Sequence, residues 1–100
     1  MSDTVVVRDD GVLEVHGHVT FQTVPEFLSQ AGQWLNRSEP SRITMDLGRV
    51  AHIDTAGIAL MLEWLTQAQA QQRELKFVNL PDQMRHFIGV SGLNTAFGLA

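Results

Sequence analysis

Asp54 and Thr55 stand side by side in the stretch His52-Ile53-Asp54-Thr55-Ala56-Gly57-Ile58, just ahead of the apolar run Ala59-Leu60-Met61-Leu62. An acid and a hydroxyl are thereby placed where a loop is expected to turn into an amphipathic helix. The first backbone N–H groups of a helix lack internal partners, and the aligned peptide dipoles leave partial positive charge there. A carboxylate or hydroxyl at that point caps the helix, and a phosphate on the hydroxyl would be favoured by the same field. Gly57 is expected to keep the first turn free of side-chain bulk, so that another protein could approach Thr55 closely. Capping alone would also account for Asp54 and Thr55, so the pair takes its meaning from the rest of the chain.

Other chemistry is sparse. His16 and His18 are two apart on an expected strand and share a face, but two imidazoles do not close a zinc site and the chain has no cysteine. No metal or cofactor is therefore expected. His52 near Thr55 could act as a base only if a nucleophile and an orienting acid converged on it, and the spacing gives no sign that they do. Gly17, Gly48 and Gly57 stand alone, without the Lys-Ser/Thr that completes a phosphate-binding loop. With no catalytic constellation, the chain reads as a protein that binds or is acted upon.

Several elements must position that site. Val5-Val6-Val7, Asp9-Asp10-Gly11 and Val12-Leu13-Glu14-Val15 read as a β-hairpin turned by Asp-Gly, with His16 to Val19 extending the second strand. Thr23 and Glu26 have capping-box spacing with Pro25 in the first turn, and Val24, Phe27, Leu28, Ala31, Trp34 and Leu35 follow as one helical stripe. Ser38-Glu39-Pro40 closes that helix. Ile43, Met45 and Leu47 alternate as a strand, and Gly48 to Ile53 reads as a loop leading to Asp54. The second helix is expected to bury Ile58, Met61, Leu62, Leu65 and Ala68. Leu75 to Val78 form a short strand, and Pro81-Asp82 open a third helix carrying Met84, Phe87 and Ile88, which Gly92 stops. Leu93 to Leu99 would add a last strand or short helix.

This α/β alternation over residues 1–100, without linker or repeat, is expected to make one domain with helices packed on a sheet. A composition 44% apolar and 18% charged suits a folded core, and a formal charge of −4 argues against a nucleic-acid surface. Met1-Ser2-Asp3-Thr4 lacks the basic start and apolar stretch of a signal peptide. No segment approaches the ~20 apolar residues that cross a bilayer. A cytoplasmic protein is expected, reaching the inner face of a membrane only through a partner.

The chain resembles the STAS domain family, named for sulfate transporters and anti-sigma-factor antagonists. The likeness is carried by Met45-Asp46-Leu47-Gly48-Arg49-Val50, by Ile53-Asp54-Thr55-Ala56-Gly57-Ile58-Ala59-Leu60 and by Val90-Ser91-Gly92-Leu93, and the order of elements agrees along nearly the whole length. It implies an α/β fold with a mixed β-sheet and helices mainly on one side. In the family's antagonists, the hydroxyl residue directly after that Asp is phosphorylated by a partner kinase that doubles as an anti-sigma factor, and that position is Thr55. A second branch, the small cytoplasmic STAS subunit of the Mla phospholipid-transport ABC system, shares the Asp-Leu-x-Arg-Val…Asp-Thr-x-Gly pattern. That branch binds the transporter's ATPase subunit with the threonine in the interface. The antagonists usually carry an acidic Gly-Glu-Leu-Asp-like stretch after the second strand. Here it is Gly17-His18-Val19-Thr20, which favours the transporter branch.

A docking role assigns Thr55 to the contact, with Asp54, Ala56 and Gly57 supporting it. Leu60 and Trp64, one turn apart and to one side of the expected buried stripe, would form an apolar contact patch. The alternative for Trp64 is packing against the neighbouring helix, near Trp34 or Met84.

Overall fold

Alternate residues of two neighbouring strands, Leu13, Val15 and Val19 on one and Ile43, Met45 and Leu47 on the other, are all buried on a single face of the sheet. The computed structural model describes residues 3–8 and 11–98. Its elements are β1 (Thr4–Val7), β2 (Val12–Val19), α1 (Val24–Leu35), β3 (Arg42–Ile53), α2 (Ala56–Ala70), β4 (Glu74–Val78) and α3 (Asp82–Val90). The strand order is β1-β2-β3-β4. β1 runs antiparallel to β2, as the hairpin reading requires, whereas β2–β3 and β3–β4 are parallel. Gly11 takes a positive φ of +82° at the hairpin; Asp9 and Asp10 lie outside the described residues.

β3 is longer than its side-chain pattern suggests. Gly48 to Ile53 continue the strand, because the long β2 offers them a backbone ladder: Gly17 pairs with Val50, His18 with His52 and Val19 with Ile53. Irregular steps at Glu14/His16 and Gly17/His18 interrupt the two-residue alternation. Backbone pairing here overrides the side-chain signal.

The helices close the other side of the core. α1 buries Phe27, Ala31, Trp34 and Leu35, with Val24 and Leu28 partly covered, as its stripe predicts. The capping box does not form. Thr23 has a helical backbone, φ −97° and ψ −14°, and makes no side-chain cap bond. Its hydroxyl instead donates to the carbonyl of His18 at 2.6 Å and accepts the N–H of Thr20 at 2.9 Å. A side chain with the right spacing was claimed by the end of β2.

The far end of α1 is held by Arg73, which is 4% exposed. Its Nη1 donates to the carbonyls of Trp34, Leu35 and Arg37 and its Nε to that of Pro40, with the guanidinium 4.5 Å from the centre of the Trp34 ring. The terminal carbonyls of a helix need donors, and a cation also suits the negative end of its dipole. α3 starts after Pro81 and ends before Gly92, which has φ +71°. Beyond it, Leu93 to Gly98 form turns rather than a strand or helix, anchored by Phe97, whose ring meets Phe77 edge-on at 5.7 Å; Leu99 lies outside the described residues.

Candidate functional site

α2 begins where β3 ends, so the Asp54–Thr55 pair sits at the turn between them. Asp54 makes four hydrogen bonds there. Its carboxylate Oδ1 accepts the N–H of Ala56 at 2.8 Å, a local turn in which an Asp side chain binds the backbone two residues on. Its Oδ2 accepts the N–H of Phe21 at 3.3 Å, which ties in the β2–α1 loop. Its own N–H donates to Val19 and its carbonyl accepts from Gly57. Asp54 is thus the support of the site.

Thr55 is freed by this arrangement. It occupies the N-cap position with a helical backbone, φ −63° and ψ −20°, and its side chain makes no cap hydrogen bond. A capping hydroxyl normally sits on an extended backbone, from which it reaches back to the next turn. The residue is exposed, and no acidic residue occupies the first turn of α2. The hydroxyl is therefore presented to solvent in the positive field of a 15-residue helix.

Gly57 plays a different part from the expected one. It is buried, and a Cβ there would lie 2.6 Å from Ile53 Cδ1 and 2.8 Å from Met84 Cε. The missing side chain lets α2 press onto the end of β3 and onto α3; it opens no approach to Thr55. Ala56, half-buried, donates the N–H that Asp54 holds.

Leu60 and Trp64 are also relocated. They are 1% and 0% exposed, members of the core together with Gly57, Met61 and Ala68. Leu62, expected inside, is 37% exposed, and Ile58 and Leu65 are only partly covered. Large apolar residues occur nearly all round α2, so the sequence defines its buried face poorly, and burial of the large indole fixed the rotation. The outward face carries Thr55, Ala59, Leu62 and Thr66, all exposed and spaced by four, three and four residues.

One exposed residue escaped the sequence reading. Phe21 is 81% exposed, on the loop that Asp54 holds beside the start of α2. Its signal was available: a large aromatic side chain that fits neither the strand alternation before it nor the helical stripe after it.

His16 pairs with Glu14 at 2.8 Å and His18 with Asp3 at 3.4 Å, while His52 faces His18 with ring centres 6.5 Å apart. Among the described residues, no group of three His, Asp or Glu side chains could hold a metal ion. Nor is any helix of the described residues long and apolar enough to cross a membrane.

Comparisons with known proteins agree with this fold. The family model described as "Mlab, STAS domain" matches residues 4–99. An anti-sigma factor antagonist from Mycobacterium paratuberculosis superposes with a TM-score of 0.75 at 25% identity, covering 94% of this chain and 81% of that one. The Bacillus cell fate determinant SpoIIAA in its phosphorylated form gives 0.69 at 16% identity, covering 92% and 85%. A sulfate transporter family protein from Wolinella succinogenes gives 0.68 at 17% identity, covering 87% and 70%.

Proposed function

Because the chain belongs to the STAS domain family, we propose that it is a non-catalytic docking subunit that binds and supports the ATPase of a phospholipid-transport ABC transporter. The observation that carries this reading is the Thr55 surface: a hydroxyl released from capping, set at the head of an exposed strip of helix beside Phe21, with Glu63 as the one charge next to it. Strips of small and hydroxyl residues next to an exposed aromatic suit a protein contact, in which a buried ring supplies much of the binding energy. The MlaB label of the matching family model supports the choice of a transporter. Membrane association then comes through the partner, at the inner face of the inner membrane.

A second reading has its own support. The 25%-identical Mycobacterium neighbour is an anti-sigma factor antagonist, and Thr55 is exposed at a helix N-terminus where a phosphate would be stabilised. On that reading a kinase-like anti-sigma factor binds the same face and phosphorylates Thr55.

One titration separates the two. The purified protein and its Phe21→Ala variant are added to the ATPase subunit of the cognate transporter and to a cognate anti-sigma factor kinase, with binding followed by calorimetry. Docking on the ATPase predicts binding there, weakened about tenfold or more by Phe21→Ala, as expected for loss of a buried aromatic anchor. Binding to the kinase alone, with phosphate incorporated at Thr55, would establish the second reading instead.

A further inference from the structure

The two edges of the sheet are treated differently. At the β1 edge, the Gln30 side chain of α1 accepts the N–H of Val5 at 2.8 Å and the hydroxyl of Thr4 at 3.0 Å, so an outward-facing donor is covered. At the β4 edge, among the described residues, no strand or side chain does the same. The N–H of Glu74 points inward, donating to Ser41 at 2.8 Å. Backbone groups alternate in direction along a strand, so those of Leu75 and Phe77 point outward. A cleft of about 590 Å³ lies beside this edge, between β4 with Leu75 and Phe77, α2 with Leu65 and Ala68, and the chain's own turn from Thr95 to Gly98.

We propose that a second copy of this chain covers that edge, β4 against β4 and antiparallel about a two-fold axis at Leu75. The charges select both the occupant and the register. Centring on Leu75 makes Leu75 and the partner's Leu75 a pair that exchanges two N–H···O bonds, and it sets Glu74 opposite the partner's Lys76 on both sides of the axis. Both side chains are exposed on the helix-free face, where they can meet; Glu74 also lies 3.6 Å from Arg42 of its own chain, a solvent-exposed pair that the partner's Lys76 would join. Centring on Lys76 would instead oppose two lysines, and centring on Phe77 would leave Lys76 opposite an apolar Val78. A lysine on an open edge ordinarily discourages pairing. Here it is answered by the glutamate two residues away in the other copy. The half-buried Leu75 side chains gain cover over the cleft, and the two sheets join into one of eight strands. None of the residues of the Thr55 surface is used.

Sedimentation velocity of the full chain over a concentration series tests this. The protein should pass from monomer to dimer, and added salt should weaken the dimer because the deciding pairs are exposed. Lys76→Glu, which opposes two pairs of acids, and Glu74→Lys, which opposes two pairs of bases, should each weaken it at least about tenfold. An equimolar mixture of these two variants restores both opposite-charge pairs and should give a heterodimer. Circular dichroism serves as the folding control, and amide exchange at Leu75 and Phe77 should slow as the dimer fills. A wild-type monomer at every concentration would overturn the proposal, as would a dimer indifferent to both charge reversals. So would β4 amides protected only when a different protein is added.

Discussion

The inward and outward faces of α2 share one helix and have almost nothing else in common. Inward, Gly57, Leu60, Met61, Trp64 and Ala68 meet the core, and the clearance at Gly57 is too small for a methyl group. Outward, Thr55, Ala59, Leu62 and Thr66 are exposed, and among the described residues the only side-chain bond this strip makes is from the Thr66 hydroxyl to the Leu62 carbonyl in its own helix. The inward face can change little without loss of packing; the outward face can change with little effect on it. A partner surface is tunable only where the fold does not depend on it, and α2 provides that separation within a few ångströms.

The largest test of this division is Trp64→Ala. Removing a fully buried indole should cost about 3–5 kcal/mol, while Leu62→Ala, one turn fraction away, should cost less than about 1 kcal/mol. Chemical denaturation of the two variants measures both; similar losses would mean the two faces have been confused. Gly57→Ala comes next. The added methyl must displace Ile53 or the end of Met84, and overpacking of that kind costs about 1–3 kcal/mol. A neutral result would show that α2 does not need its close approach to β3.

How much of this division could be read from the chain depended on how much each element decided locally. The strip along α1 was legible because polar residues separate its apolar ones, and the strand from Ile43 to Leu47 because it alternates cleanly. The start of α2 was also legible, since Asp54 and Thr55 are typical of a helix beginning. The rotation of α2 was not, because Ile58, Leu60, Met61, Leu62, Trp64 and Leu65 spread round most of the helix and leave only a narrow polar side to orient it. Which of two adjacent polar residues does the work was likewise hidden. Asp54 serves the backbone and Thr55 does not because of bonds to Phe21 and Val19, residues more than thirty positions away. Arg73 shows the same limit: it caps a helix that ended 38 residues earlier, through a contact to Leu35.

The sheet repeats the contrast more mildly. On β3, Ile43, Met45 and Leu47 face the core, whereas Asp46 lies on the helix-free face. Burial works to raise the Asp46 carboxyl, but the N–H of Gly48 at 2.9 Å, the amide of Asn79 at 3.0 Å and the charges of Arg8 and Arg49 together hold it below its ordinary range. A carboxyl lowered in the folded state contributes stability above its unfolded value and loses it as pH falls through the lowered one. Stability should therefore decline on acidification below about pH 4, as the carboxyl takes up its proton. Asp46→Asn should flatten that part of the profile in urea melts run at several pH values. An unchanged profile would remove Asp46 from the account.

Thr55 should show the smallest effect on stability and the clearest separation of folding from binding. Thr23 stands at the same place relative to α1, and its hydroxyl is engaged by His18 and Thr20. The Thr55 hydroxyl has no cap bond to lose. Thr55→Ala should therefore leave stability within about 0.5 kcal/mol of wild type, as for a surface substitution away from any special contact. Thr55→Glu adds negative charge in the favourable field of a helix N-terminus, so the monomer should stay folded. At an interface the same charge must be desolvated or repelled, so on the proposed docking role binding to a transporter ATPase should fall further with glutamate than with alanine. Denaturation of the three proteins, followed by titration of each against the isolated ATPase subunit, reads both quantities. If Thr55→Ala destabilised the fold as a lost cap would, the hydroxyl would belong to the inward side of the division. If neither variant changed affinity, the outward strip would not be the docking face.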